Sequence, residues 1–248
     1  MFGNKHLTDS ISRIFYFAVM LSFLFAIIYV PLRAWLDTEY RANTEYRIMI
    51  FQTLFGLVIV NLPSFLRRRF MWKIPSLFSL VFTIFLWGAI FAGEVWKFYY
   101  LFPFWDDILH LMSSMMAAML GFSLIDILNN DKSHTAVRLS PFFVALFSVC
   151  FAVTIGVLWE LYEFTFDGIL GMNMQKFAKI NDANSEIFIN LSGRDALIDT
   201  MTDLAVDTLG AIIVSAFGYI SLKRKNSWFN AFKVKIEEDT TRQRRGNY

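Results

Sequence analysis

Six apolar runs, each near the ~20 residues that a bilayer-crossing helix requires, constrain this chain more than any other feature. They fall at about residues 14–30, 48–62, 77–95, 108–128, 142–159 and 204–222. Inside hydrocarbon a backbone has to satisfy its own polar groups, so runs of this kind become helices rather than open sheet. Composition agrees. Hydrophobic residues are 56% and charged residues only 18% of the chain, against about 25% charged in a soluble domain. The second run is short and carries Gln52 and Asn61. The first has the look of a secretory signal, but "YVPLRAWLDTEY" follows it with no A-x-A-like cleavage site, and it reads as a retained helix.

Basic residues predict the orientation. "LRRRFMWK" follows the second run, "KRK" follows the sixth, and the N-terminus carries Lys5 and Arg13. The alternate loops, 31–47, 96–107 and 160–203, are mixed or acidic. The positive-inside rule then puts both termini in the cytoplasm. Trp35, Trp96, Trp105 and Trp159 fall near the outer boundary, as an aromatic belt does. The expected fold class is an all-α polytopic membrane protein: a bundle of about six transmembrane helices, multi-pass in the cell (plasma) membrane. Residues 1–222 form one transmembrane domain, and 223–248 a basic, polar cytoplasmic tail. Small residues on the fourth and sixth runs (Ser113, Ser114, Ala117, Ala118, Gly121; Gly210, Ala211, Ser215, Ala216) favour close helix approach. The long loop 168–198 reads as a packed or re-entrant piece, and "NLS" at Asn190 matches the glycosylation pattern. The single cysteine, Cys150, excludes an internal disulfide. The arginines after the second run set orientation, and nothing indicates nucleic-acid binding. Oligomeric state is not encoded in any motif.

Three acidic clusters stand out. "WDDILH" opens the fourth run, and Asp106 and Asp107 lie i,i+4 and i,i+3 from His110. "VLWELYEFTFDG" closes the fifth, and Glu160, Glu163 and Asp167 share one face if the helix continues past Trp159. "DTMTDLAVDTLGA" opens the sixth, and Asp199, Asp203 and Asp207 step i, i+4, i+8 along one stripe. With the topology above, all three clusters reach the outer boundary of the hydrocarbon. Ionisable groups at that level face the bundle interior and pair. Capping and the helix dipole account for acids at helix starts, such as Asp106, Asp107, Asp199 and Asp203. They work against Glu160, Glu163 and Asp167 at a helix end, and Asp207 lies too deep to cap. Asp126, at the other end of the fourth run, reads as an ordinary exit residue.

A cation has to make such a set tolerable. One source is a basic residue of the outer loops: Arg194, Lys176, Lys179, Lys97, Arg41 or Arg47. The other is a divalent metal. Carboxylate-rich sites suit Mg²⁺, Mn²⁺ or Ca²⁺, and one histidine among carboxylates also admits Zn²⁺ or Fe²⁺. Shared protons are a third answer. The candidate ligands are Asp106, Asp107, His110, Glu160, Glu163, Asp167, Asp199, Asp203 and Asp207, with His110 and Glu163 as candidate proton-transfer residues.

The motifs "WDDILHLMSSMMAAMLGF", "GVLWELYEFTFD" and "DTMTDLAVDTLGA" resemble those of the YjdF-like bacterial integral membrane proteins: D-x-x-x-H at a helix start, W-E-x-x-E, and D-T-x-x-D before Gly-Ala. The resemblance covers roughly residues 80–222. More remotely, Asp106 to His110 and the Asp203–Ala211 stretch look like the VanZ-like group. The YjdF-like resemblance implies a membrane bundle with this site position and no particular activity. Three functions fit. One is a metal-dependent hydrolase or transferase acting on a lipid or lipid-linked head group. The second is a non-catalytic sensor or assembly factor with a structural ion site. The third is a cation-coupled transporter, for which no inverted repeat or inward-running line of acids is seen.

Overall fold

A computed structural model describes residues 5–36, 45–130, 139–182, 185–224 and 233–236. Its helices are α1 (Lys5–Leu36), α2 (Glu45–Ile59), α3 (Leu62–Phe70), α4 (Ser76–Leu86), α5 (Phe98–Leu101), α6 (Trp105–Asn130), α7 (Pro141–Leu170) and α8 (Ile198–Lys223). A π-helical segment, Trp87–Val95, continues α4, and a 3₁₀ turn, Gly193–Leu197, leads into α8. Two small antiparallel pairs complete the structure: β1 (Trp72–Lys73) with β4 (Lys235–Ile236), and β2 (Ala178–Asp182) with β3 (Ser185–Asn190). The chain is an all-α polytopic membrane protein with 6 helices long and apolar enough to cross a bilayer.

The helices form two packed groups. α1 packs on α2 and α4, around Phe23, Ala26, Val30, Met49 and Phe91. α6, α7 and α8 pack on one another around Ala118, Phe122, Ala152, Ala211 and Val214. Small residues set the separation in the second group, as their spacing predicts. A Cβ on Gly121 would come 3.0 Å from Ser148 Cα, and one on Gly210 would come 2.9 Å from Leu111 O. Hydroxyls at this depth bond back to their own helix, as Ser148 Oγ does to Val144 O at 2.9 Å. Large apolar side chains such as Phe17, Leu21, Phe51 and Phe142 point outward instead, as lipid contact requires.

Two boundaries differ from the sequence reading. α7 does not stop at residue 159 but runs to Leu170, where Gly171, at φ +65°, donates its amide to Asp167 O at 3.0 Å. At its other end Ser140 Oγ caps the Phe143 amide, with Pro141 in the first turn. α8 begins at Ile198 rather than 204. Hydropathy marks what lies in lipid, whereas the hydrogen-bonded helix extends past it. The loop between α7 and α8 carries the β2–β3 hairpin, with Ala178 opposite Asn190. Lys233 and Val234 are buried, and residues 235–236 pair with β1. Val234 is 2% exposed against Ile74, Phe78 and Met116, and β4 adds to β1.

Candidate metal centre

α6, α7 and α8 bring their acidic motifs to one end of the helical group. His110 lies one turn into α6 and is 5% exposed. Its Nε2 stands 3.9 Å from Asp106 Oδ1 on its own helix and 3.9 Å from Asp203 Oδ2 on α8. Its Nδ1 stands 3.4 Å from Asp207 Oδ2, one turn further along α8. The i,i+4 steps from Asp106 to His110 and from Asp203 to Asp207 therefore clamp the ring from two helices. Gly156 makes room for this on α7, because a Cβ there would collide with Asp207 Oδ2.

α7 supplies the third wall. Glu160 and Glu163 are each 5% exposed. Glu163 Oε1 accepts a hydrogen bond from Trp159 Nε1 at 2.8 Å, the i,i+4 pair inside W-E-x-x-E. Thr200 and Gln175 are the polar neighbours of Glu160. Asp167 has a different position. Its two oxygens accept from the amides of Met174 and Gln175 at 2.8 and 3.0 Å, so it ties the loop to the helix end. Asp107 is not among the residues whose ligand atoms converge; one residue along an α-helix is about 100° around it.

One of the basic residues of the outer loops enters the group. Lys176, at φ +46° in the turn after α7, places its ammonium on Asp106 and, at 3.2 Å, on Asp199 Oδ1. Asn173 shapes that turn by bracketing Ala178, accepting its amide at 3.0 Å and donating to its carbonyl at 2.8 Å. Burial pulls the lysine pKa down, but Asp106 and Asp199 outweigh it and hold Lys176 above the ordinary lysine value. Arg194 and Lys179 are exposed. Lys97 lies over the Tyr100 ring, Arg47 lies beside Tyr46, and Arg41 is outside the described residues.

Lys176 does not balance the set. Among the described residues, both oxygens of Glu160, both of Asp203, Glu163 Oε2, Asp199 Oδ2 and Asp207 Oδ1 are buried without a hydrogen-bond partner. Two like charges 4 Å apart repel by about 4 kcal/mol even at an effective dielectric near 20. Such a group exists only with shared protons or with a further cation. Asp106, His110 and Asp203 offer ligand atoms all within 4.8 Å of one another. That matches the spread across one ion with bonds of about 2.1–2.4 Å, so the residues present fit a divalent metal.

Tyr99 and Glu94 complete the surroundings and were not singled out by the motifs. Glu94 accepts from Gln52 Nε2 at 3.1 Å. Burial, and then the charges of Glu94, Asp106 and Glu163, raise the Tyr99 phenol well above its ordinary value and keep it neutral. No sequence signal pointed to Tyr99. Trp159 was readable only as a belt residue, although its i,i+4 spacing to Glu163 carried the contact.

Comparison with known proteins agrees with this architecture. The family model described as "Predicted membrane protein (DUF2238)" matches residues 13–224, consistent with the YjdF-like resemblance. An uncharacterised protein of Thermotoga maritima is 29% identical over 150 residues, which are 59% of this chain and 64% of that protein. The chain thus spans somewhat less than two thirds of that relative's length. No solved structure matches.

Proposed function

The chain belongs to the DUF2238 family of predicted membrane proteins, and we propose that its carboxylate–histidine cluster is the divalent-metal centre of a multi-pass enzyme acting on a phosphate-bearing lipid or lipid-linked head group. The observation that carries this reading is the surplus of unpartnered buried carboxylate oxygens around His110, with Lys176 already committed to Asp106 and Asp199. Asp106, His110 and Asp203 hold the ion, and a bound Mg²⁺, Mn²⁺, Ca²⁺ or Zn²⁺ supplies a Lewis acid for a phosphoryl oxygen or an acidified water. In this reading Glu163 moves the proton. Its Oε1 is held by Trp159, and its Oε2 is left without a partner. The depth of the cluster at one end of the helices suits a head group rather than an acyl chain. On the basic-residue asymmetry, that end faces out of the cell and both termini lie in the cytoplasm.

Metal analysis of the purified protein, with and without chelator, tests the centre. Wild type is expected to retain a divalent ion, and Asp203→Asn to lose most of it. Chelation is expected to lower the melting temperature of wild type more than that of Asp203→Asn. Affinity falls as pH falls, because ligand carboxylates have to shed their protons. Glu163→Gln, which keeps an acceptor for Trp159, is expected to retain the ion and to lose release of phosphate or head group from phospholipid substrates. If chelation changes nothing while Lys176→Ala alone destabilises the protein, the lysine is the cation and the metal reading is wrong. If the ion is retained and no phospholipid or lipid-linked phosphate is turned over, the ion is structural.

A further inference from the structure

We propose that a second site, at the end of the bundle opposite the carboxylates, binds the head group of an anionic phospholipid. A cavity of about 1090 Å³ opens there between α1, the α2–α3 turn, α3 and the start of α4. Its place is fixed by the chain. β1 follows α3 directly and pairs with β4, and Lys233, just before β4, lies 3.4 Å from Asp126 near the far end of α6. Asp126 is twenty residues beyond Asp106, or about 30 Å of helix.

The chemistry of the walls is one-sided. Arg13, Arg67, Arg68 and Arg69 line the cavity. Among the described lining residues Asp9 is the only acid, and its carboxylate already accepts a hydrogen bond from Ser76. Arg67 and Arg68 form no ion pair with any described residue. Guanidinium groups bind phosphate oxygens in forked pairs and hold their charge at every accessible pH. Ser12, Ser64, Ser76 and Ser79 line the same cavity and make the rest of its wall polar rather than acidic. The positive-inside rule explains why arginines sit on this side. It does not explain why four of them line one cavity whose single acid is already hydrogen-bonded.

The flanks select a lipid over a free anion. Phe17 and Phe65 also line the cavity and are 62% and 55% exposed, giving acyl chains an apolar path beside the arginines. Tyr16 and Asn61 brace the wall between them through a 2.6 Å hydrogen bond. Basic pockets between transmembrane helices take phosphate-bearing head groups.

Native mass spectrometry of the full chain in delipidating detergent reads the site directly, with phosphatidylglycerol, phosphatidylcholine and inorganic phosphate as probes. The expected result is retention of phosphatidylglycerol over phosphatidylcholine, lost by about tenfold or more in Arg67→Gln/Arg68→Gln. Ser64→Trp, which blocks the mouth without altering charge, is expected to lose retention too. Arg224→Gln removes a charge outside the cavity and is expected to leave retention intact, as is Asp203→Asn at the metal centre. Equal retention of the two lipids overturns the proposal. So does unchanged retention in Ser64→Trp, which decides the matter if the double arginine variant fails to fold. Displacement of the lipid by an equal concentration of inorganic phosphate assigns the cavity to a soluble anion and overturns the lipid assignment.

Discussion

At the scale of single residues, the acids of α7 divide by what answers their charge. Asp167 lies at a helix end where the dipole opposes it, yet the Met174 and Gln175 amides take both its oxygens. Amides given to a charged acceptor are worth about 1.5–3 kcal/mol each when buried, and these are only half-buried. Asp167→Ala is therefore expected to cost about 1–3 kcal/mol, read as a lower unfolding midpoint with chelator present or absent. Glu160 is the opposite case: no backbone amide answers it, and its polar neighbours are the Thr200 and Gln175 side chains. In chelator, Glu160→Gln removes an unanswered buried charge and is expected to raise the melting temperature. With metal present that gain shrinks, because the neighbouring charge is then neutralised. A fall in both conditions would show that Thr200 and Gln175 hold the carboxylate by more than its burial costs.

At the scale of elements, the site depends on how closely α7 approaches α8. Gly156 faces Asp207, so Gly156→Ala has to push that carboxylate off His110 or spread the helices. Overpacking of this kind costs about 1–3 kcal/mol. The expected result is a lower melting temperature together with weaker metal retention, whereas Ala at exposed Gly168, where a Cβ meets nothing, leaves retention intact. The three motif stripes were legible in the sequence because i,i+4 spacing on a helix is a geometric statement in itself. Asp106–His110 and Asp203–Asp207 needed only the helices to be right. Lys176 could be named only as one of several loop cations, because its reach depends on a left-handed turn and on Asn173 bracketing Ala178. The π segment was not legible, since its hydropathy is that of the α-helix it continues. Its consequence is local: Trp105 Nε1 donates to Gly88 O at 3.1 Å, and Gly93 leaves room for the Tyr99 ring, which together seat the first turn of α6 against the first helical group. Asp126, read as an exit residue, proves to meet Lys233, from a segment that the sequence reading had grouped with the cytoplasmic tail.

At the scale of the molecule, the two ends carry opposite chemistry and separate supports. The carboxylate end is held by α6, α7, α8 and the Lys176 turn. The arginine end is closed by β4, by Val234 buried against Ile74, Phe78 and Met116, and by the Val234 amide on Ser123 Oγ at 2.9 Å. Losing part of a buried Val side chain costs about 1–3 kcal/mol, so Val234→Ala is expected to destabilise the protein by that amount. The informative variant is the double one. Changes more than about 10 Å apart with no shared partner add to within about 0.5 kcal/mol, and here helix rise alone separates the ends by about 30 Å. A transporter has to link its two faces, since binding at one end shifts the packing at the other. An enzyme working at one end needs no such link. Unfolding free energies in micelles for Val234→Ala, Asp203→Asn and the pair, each with metal present, therefore bear on function as well as on stability. Additivity within about 0.5 kcal/mol is the expected result. A coupling of 1 kcal/mol or more would mean that the ends communicate, and would favour cation-coupled transport over catalysis at a fixed site.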